Sequence, residues 1–400
     1  MQRITNIFTD CTDMVQHLQA DLVGATRYIY FQFFKFEADE LGKAIGELLI
    51  ERAKAGVDVR VIYDAVACWY VPRRFFRHLQ KGGVKVLGFN GLFSRNGIPV
   101  NFRNHRKIVS IDGAAAYVGG MNIARRYCDG VHGGIWRDTH LRLTYPTAIQ
   151  ELESIFLWDW TECKGDLQLP QHLKEVRSPG RTFSNTMRKT RHGALKEVRS
   201  PGRTNDIENQ KDEATLYLSP IHILPINPTD KVMRMDALIC YMLHHAQRYI
   251  YFQSPYFIPS TTILSALQAA RNRGVEVRLM LPIRGDKGIL VPKATASHYD
   301  HLLREGVRIY LYRRGYMHAK TIVMDDRLTS IGSANIDPRS LRLSYEVTAV
   351  FTDGDTALQQ RHNFEQDMAE CTLLTLAEWQ KRSPWQRLAE FIGRLFEKHF

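Results

Sequence analysis

The sequence predicts an α/β chain built as two related halves that together close one site. Three observations predict it. First, "RYIYFQ" at Arg27–Gln32 recurs unchanged at Arg248–Gln253, and "GVDVR" from Gly56 is echoed by "GVEVR" from Gly274. The period is near half of the 400 residues, much longer than the repeat of a solenoid or propeller. Second, both halves alternate strand and helix patterns in the same order. Third, "NHRKIVSIDGAAAYVGGMN" (Asn104–Asn122) and "MHAKTIVMDDRLTSIGSAN" (Met317–Asn335) carry the same chemically special residues in one register. His105 matches His318, Lys107 matches Lys320, Asp112 matches Asp325, Gly119 matches Gly332, and Asn122 matches Asn335.

Taken in order, "RYIYFQFFKF" (Arg27–Phe36) is aromatic and reads as a buried strand. "ELGKAIGELLIERAKAG" (Glu40–Gly56) has apolar residues at helical spacing and a glycine stop. "VDVRVIYD" alternates as a strand, "PRRFFRHLQKGG" reads as a helix, "VKVLGF" as a third strand, and the motif strand "HRKIVSID" then turns into "AAYVGG". The second half repeats this with "RYIYFQ", "ILSALQAARNRG", "VEVRLMLP", "SHYDHLLREG", "VRIYLY" and the second motif. Each half is therefore an α/β layer. The boundaries are 1–163 for the first half, 164–213 for a linker, 214–383 for the second half and 384–400 for a terminal helix.

The linker is basic. It holds "LKEVRSPGRT" twice, at Leu173–Thr182 and Leu195–Thr204, and reads as a flexible segment produced by a small tandem insertion, or as a basic tether. The terminal stretch "PWQRLAEFIGRLFEKHF" (Pro384–Phe400) puts Trp385, Leu388, Phe391, Ile392, Leu395 and Phe396 on one helical face. Such a helix packs on its own core or lies in a membrane interface.

A formal net charge of +12 suggests a polyanionic partner, nucleic acid or an anionic lipid surface. Six scattered cysteines without a CxxC argue against a zinc site or a disulfide framework and favour a reducing compartment. The sequence has no apolar run of the ~18 residues needed to span a bilayer. Asp10 and Asp13 interrupt the place where a signal peptide would have its apolar core. The expectation is a cytoplasmic chain that reaches a membrane, if at all, from its surface.

Two His-x-Lys sets in register suit phosphodiester chemistry. Cleavage needs a nucleophile in line, a proton for the leaving oxygen, and positive groups on the non-bridging oxygens. Two histidines can divide the first two tasks, one attacking phosphorus and one acting as acid and base. Residues two apart on a strand share a face, so Lys107 points with His105 and Lys320 with His318. The lysines, Asn122 and Asn335 can hold phosphate, while Gly119, Gly120, Gly332 and the small Ser333 let backbone approach closely. Asp138, in "WRDTHLRL", and Glu346, in "DPRSLRLSYEV", are carboxylates that can orient the histidines. Which carboxylate serves which histidine is left open. Asp112 and Asp325 fall near turns and read as structural or supporting. No cofactor is needed, and no metal-ligand cluster is evident.

Both stretches fit HxKxxxxDxxxxxxG(G/S)xN, and the chain resembles the phospholipase D superfamily. Together with "GGMNIARRY", "FLWDW" and "SPYFIP", the motifs make it most similar to bacterial cardiolipin synthases of the phospholipase D type. The resemblance implies two pseudo-twofold-related phospholipase D-like halves, each a mixed β-sheet flanked by helices, with one active site at their interface. It implies a phosphatidyltransferase that moves a phosphatidyl group from phosphatidylglycerol to a second phospholipid alcohol through a phosphohistidine, releasing glycerol. His105 would be the nucleophile and His318 the acid/base, although the near-equivalent halves allow the reverse. The implied partners are anionic phospholipid and a membrane surface rather than nucleic acid, with the chain peripheral on the cytoplasmic side of the bacterial inner membrane. Many members of the family begin with two membrane-spanning helices, and none is legible here, which puts more weight on the terminal helix. A hydrolase or nuclease on the same scaffold is the alternative, and a binding protein on a dead duplicate is a third reading that two intact motifs argue against. Acceptor choice and oligomeric state are not legible.

Overall fold

The computed structural model describes residues 5–91, 98–131, 133–165, 220–230, 232–285 and 290–397. Nearly all of the basic linker, including both copies of its repeat, lies outside the described residues.

Nine strands come from the first half: β1 (Thr5–Phe8), β2 (Tyr28–Phe33), β3 (Asp58–Asp64), β4 (Lys85–Phe89), β5 (Arg103–Asn104), β6 (Ile108–Ile111), β7 (Ala115–Gly119), β8 (Ile135–Arg137) and β9 (His140–Leu143). Seven form one sheet in the order β1-β9-β7-β6-β2-β3-β4. The segment β2-β3-β4 is parallel and the remainder antiparallel, so the sheet is mixed. Every residue of β2 is buried, because the sheet is covered on both faces. Ile29 and Phe31 face Leu18, Ile45, Leu49 and Leu79 of three helices. Tyr28 and Tyr30 face Phe156 and Trp160 of the helix Pro146–Glu162.

The second half repeats the plan with β10 (Ile221–Ile226), β11 (Tyr249–Gln253), β12 (Glu276–Pro282), β13 (Arg308–Tyr312), β14 (Gly315–Met317), β15 (Thr321–Met324), β16 (Leu328–Gly332), β17 (Ser344–Phe351) and β18 (Cys371–Leu374). Its sheet runs β10-β17-β16-β15-β11-β12-β13-β18. Strand for strand this is the first sheet with one antiparallel edge strand added. The helix patterns read from sequence appear as Glu40–Lys54, Arg73–Lys81, Thr261–Asn272 and Tyr299–Arg304. The glycine expected to end the first of them, Gly56, sits at φ +92°, where a glycine avoids steric cost.

The halves meet through a shared core and two short parallel strand pairs. Val118, Leu141 and Leu143 pack in one apolar cluster with Ile331, Val347 and Phe351. β5 pairs with the start of β17, Asn104 opposite Tyr345, and β8 pairs with β14, Arg137 opposite Met317. No sequence pattern announces these cross-half pairs, because β5 and β8 are only two and three residues long.

Candidate active site

The two pairs position the chemistry. His105 is the residue after Asn104, and its amide donates to the Tyr345 carbonyl at 2.9 Å. Glu346 is the residue after Tyr345. The parallel register therefore sets His105 beside Glu346, with Nδ1 at 2.9 and 3.0 Å from the two carboxylate oxygens. In the same way His318 follows Met317 and its amide donates to the Arg137 carbonyl at 2.7 Å. Asp138 follows Arg137, and its Oδ2 lies 2.5 Å from His318 Nδ1. Each histidine is thus served by the carboxylate of the other half.

His105–Lys107 and His318–Lys320 do not lie in regular strand, contrary to the sequence expectation. They form the extended links that carry the chain from the cross-half pair into β6 and β15. Alternation persists through them. Lys107 Nζ donates to the His105 carbonyl at 2.5 Å, and Lys320 Nζ lies 2.9 Å from His318 Nδ1. Arg106, between His105 and Lys107, points the opposite way into the interior. It pairs with Asp159 at 2.5 Å, and its Nε donates to the Glu346 carbonyl at 3.1 Å. Sequence reasoning missed Arg106. The signal was available: a cation alternating with the site-facing residues must enter the core, and a buried cation needs a partner such as the Asp of "FLWDW".

The small residues of the motif make room for the carboxylates. A Cβ on Gly120 would lie 2.1 Å from Asp138 Oδ1, and one on Gly119 would lie 2.6 Å from the Thr139 carbonyl. A Cβ on Gly332 would lie 2.5 Å from the Val347 carbonyl. Ser333 holds the place of Gly120 in the second half, and its hydroxyl donates to Glu346 Oε2 at 2.5 Å. Asn122 Oδ1 accepts from the Lys35 amide at 3.0 Å, and its Nδ2 donates to Tyr127 at 2.5 Å. Asn335 is buried, and its Oδ1 has no hydrogen-bond partner among the described residues.

Asp112 and Asp325 lie away from the histidines, in the turns that leave β6 and β15. Both sit in the left-handed region, at φ +54° and +52°. Asp112 accepts from the amides of Thr26, Arg27 and Tyr28 at 2.7–2.9 Å. Asp325 accepts from those of Gln247, Arg248 and Tyr249 at 2.7–2.9 Å. Each caps the start of the central strand of its sheet.

His105 and His318 line one cavity of about 820 Å³, with Phe34, Asn122, Tyr127, Trp136 and Tyr316 in its walls. The Phe34 ring stands edge-on to His105 at 4.6 Å, and the Trp136 and Tyr316 rings lie 5.1 and 5.7 Å from His318. Tyr127, Trp136 and Tyr316 were not singled out by the sequence, since nothing local ties Tyr127 or Trp136 to a histidine more than 180 residues on.

The two carboxylates differ electrostatically. Burial pushes Asp138 up, but the Lys320 ammonium and His318 outweigh it and hold the carboxyl below its usual range. Burial pushes Glu346 up to about 8, against the pull of Lys107 and the Ser333 hydroxyl. Asp138 therefore stays ionised at neutral pH, while Glu346 holds a proton readily. Among the described residues no group of three or more His, Cys, Asp or Glu is placed to hold a metal ion.

The sequence matches the family described as "Cardiolipin synthase, PLD-like domain" over residues 18–160 and 239–368. This chain belongs to that family. It is 33% identical to "Probable cardiolipin synthase YwiE" of Bacillus subtilis, over 93% of this chain and 67% of that one. It is also 33% identical to "Major cardiolipin synthase ClsA" of the same organism, over 98% of this chain and 74% of that one. Among solved structures, phosphatidylserine synthase of Haemophilus influenzae Rd KW20 matches with a TM-score of 0.69 and 16% identity, covering 100% of this chain and 96% of that one, which shows a shared fold. The family's two domain matches take in the two sheets except for their strands β1, β10 and β18, and each contains one His-x-Lys set.

The terminal helix, Pro384–Leu395, settles on the body in an unexpected sense. Its docked residues are Gly393, which packs against Lys293 and Ala294, and Glu390, which accepts from Arg382 at 3.0 Å. The apolar face points outward: Trp385 is 78% exposed, and Phe391 and Leu395 are each 59% exposed. Among the described residues no helix is long and apolar enough to cross a membrane.

Proposed function

We propose that this protein is a cardiolipin synthase-like phosphatidyltransferase, peripheral on the cytoplasmic face of a bacterial inner membrane. It takes a phosphatidyl group from phosphatidylglycerol and passes it to the glycerol hydroxyl of a second phosphatidylglycerol. The observation that carries this reading is the pair of histidines on one cavity, each with Nδ1 on a carboxylate of the opposite half. Nδ1–H held by a carboxylate leaves Nε2 for chemistry and fixes the tautomer.

Neutral His105 attacks phosphorus through Nε2. The N–P bond forms as the P–O bond to the glycerol headgroup breaks, and His318 gives its proton to the departing oxygen. The acceptor hydroxyl then loses its proton to His318 and attacks phosphorus, releasing His105 and forming cardiolipin. The carboxylate asymmetry supports this division of labour. Ionised Asp138 favours the imidazolium form of His318, which suits the acid, whereas Glu346 is less willing to ionise and suits a neutral His105. Lys107, Lys320, Asn122 and Asn335 hold the non-bridging oxygens, and the aromatic walls keep water from competing with the acceptor.

The outward apolar face of Pro384–Leu395 supports access to lipid from the surface. A helix that docks through Gly393 and Glu390 and exposes its aromatic residues beside Arg387 and Arg394 is suited to lie in the headgroup region.

The test uses purified protein with vesicles of labelled phosphatidylglycerol, products resolved by mass, beside His105→Ala and His318→Ala. Cardiolipin and free glycerol are expected, both lost in either variant. Phosphatidic acid as the sole lipid product would make the protein a hydrolase instead.

A further inference from the structure

Joining two phosphatidylglycerols brings two phosphates into one cavity, where they repel. The two histidines that line it account for one, the phosphate being transferred. The second, in the acceptor, is one glyceryl bridge from the hydroxyl that reacts. The wall of the cavity carries the charge to hold it. Arg284, Arg313 and Arg314 all line the cavity on the second-half side. They are adjacent because the strands that deliver them are: Pro282 of β12 is opposite Tyr312 of β13, and the next amide, that of Ile283, donates to the Tyr312 carbonyl at 3.2 Å.

The arginine-bearing turn is fixed over the cavity by the seam. Ile135 donates its amide to the Arg314 carbonyl at 3.0 Å. A Cβ on Gly315 would lie 2.0 Å from the Ile135 carbonyl, and one on Gly134 would lie 2.6 Å from the Arg314 carbonyl, so the two glycines allow this closure. From Arg314 the chain runs through β14 straight to His318, which at ~3.3 Å per residue puts their Cα atoms about 13 Å apart. A guanidinium reaching back from the turn and a phosphate one glyceryl bridge from the reacting hydroxyl cover that gap together.

The three arginines are not equivalent. Arg314 has an ion-pair contact with Glu370 at 3.9 Å, whereas Arg284 and Arg313 form no ion pair with a described residue. On the opposite wall Arg126 is already paired with Glu37 at 2.6 Å. We propose that Arg284 and Arg313 form a second phosphate subsite that binds the phosphodiester of the anionic acceptor lipid. The inference rests on the transferase reading above and names what decides its acceptor. Planar guanidiniums can each take two phosphate oxygens, and a phosphate there leaves the glycerol hydroxyl directed at the phosphohistidine.

The experiment is a competition in one vessel. The full chain acts on labelled phosphatidylglycerol vesicles with ethanol added as a neutral acceptor, and the ratio of cardiolipin to phosphatidylethanol is measured. Both products need the same donor and the same phosphohistidine, and only cardiolipin needs a second phosphate. Arg284→Ala with Arg313→Ala should lower the ratio about tenfold, the scale of one lost charge-assisted hydrogen bond. Arg284→Lys with Arg313→Lys should recover part of it. A ratio equal to wild type overturns the subsite, whether both products persist or fall together, because the arginines would then serve the donor, the fold or nothing. Wild type that makes phosphatidylethanol and no cardiolipin would instead overturn the underlying acceptor reading, and the subsite with it.

Discussion

Asp138 stands 2.5 Å from Nδ1 of His318, a residue of the other half of the chain, and Glu346 does the same for His105 at 2.9 Å. The crossing follows from register. Each histidine and its carboxylate are the next residues along two parallel strands, so neither pair forms unless both halves are docked. We expect Asp138→Asn to cut kcat by roughly 10³–10⁴-fold, the scale seen when a histidine loses its orienting carboxylate. Glu346→Gln should act on the other histidine and slow formation of the labelled phosphohistidine. Rapid-quench measurement of both steps separates the two: Asp138→Asn, acting through the acid/base, should slow formation and breakdown of the intermediate alike, whereas Glu346→Gln should slow formation more than breakdown. Equal slowing of formation and breakdown in both variants would contradict the division of roles.

Stability should respond to pH with opposite signs at the two carboxylates. Folded Glu346 holds its proton to about 8 against an ordinary 4.5. Between those values the folded chain keeps a proton that the unfolded chain releases, so stability is full below the lower value and lost as pH rises to the upper one. Asp138 is held below its ordinary 3.8, so its contribution is present above that value and lost as pH falls through the lowered one. Thermal melting of wild type should therefore weaken from about pH 5 to 8, by on the order of a few kcal/mol. Glu346→Gln should flatten that slope. An unchanged slope would show that Glu346 ionises normally.

Asp112→Ala and Asp325→Ala should cost stability rather than chemistry. Each takes the acceptor from three backbone amides at the head of a central strand. The Tyr249 amide beside Asp325 is buried and its loss costs about 1–3 kcal/mol, whereas the amides beside Asp112 are exposed or half-buried, so water replaces part of what is lost and the cost there is smaller. Melting temperature should fall in both, with kcat at low temperature within a few-fold of wild type. A variant with wild-type melting and abolished turnover would assign the aspartate to the reaction.

The terminal helix should govern access to vesicles. Replacing Trp385 and Phe391 by Asp removes two exposed aromatic anchors, each worth roughly 1.5–3 kcal/mol when buried. Vesicle co-sedimentation should drop more than tenfold, and turnover of bilayer phosphatidylglycerol with it, whereas a dissolved short-chain phosphatidylglycerol should be turned over at the wild-type rate. Equal loss on both substrates would mean that the helix supports the fold and not the membrane contact.

Much of this was legible in the sequence for a physical reason. Duplication displays itself as register, so His105/His318, Lys107/Lys320 and the central strands could be paired without coordinates. The strand and helix order followed from periodicity and glycine stops. The allocation of Asp138 and Glu346 was not legible, because it is set by contacts between residues 180 and 241 apart. The orientation of the last helix was hidden for a related reason. A periodic pattern reveals that a helix has two faces, and the docked one was decided by Gly393 and Glu390 rather than by the larger apolar residues. Arg106 was overlooked because attention to the residues facing the phosphate excluded those facing away.

The short strand pairs across the seam have a mechanical consequence. Main-chain ladders join the halves at both β5–β17 and β8–β14, with the histidines immediately beyond them. Such a joint is a weld and not a hinge. The halves cannot swing apart like a clamshell to admit a lipid without breaking the register that aims each imidazole. A lipid that leaves that register intact has to reach both imidazoles through the mouth of the cavity they line.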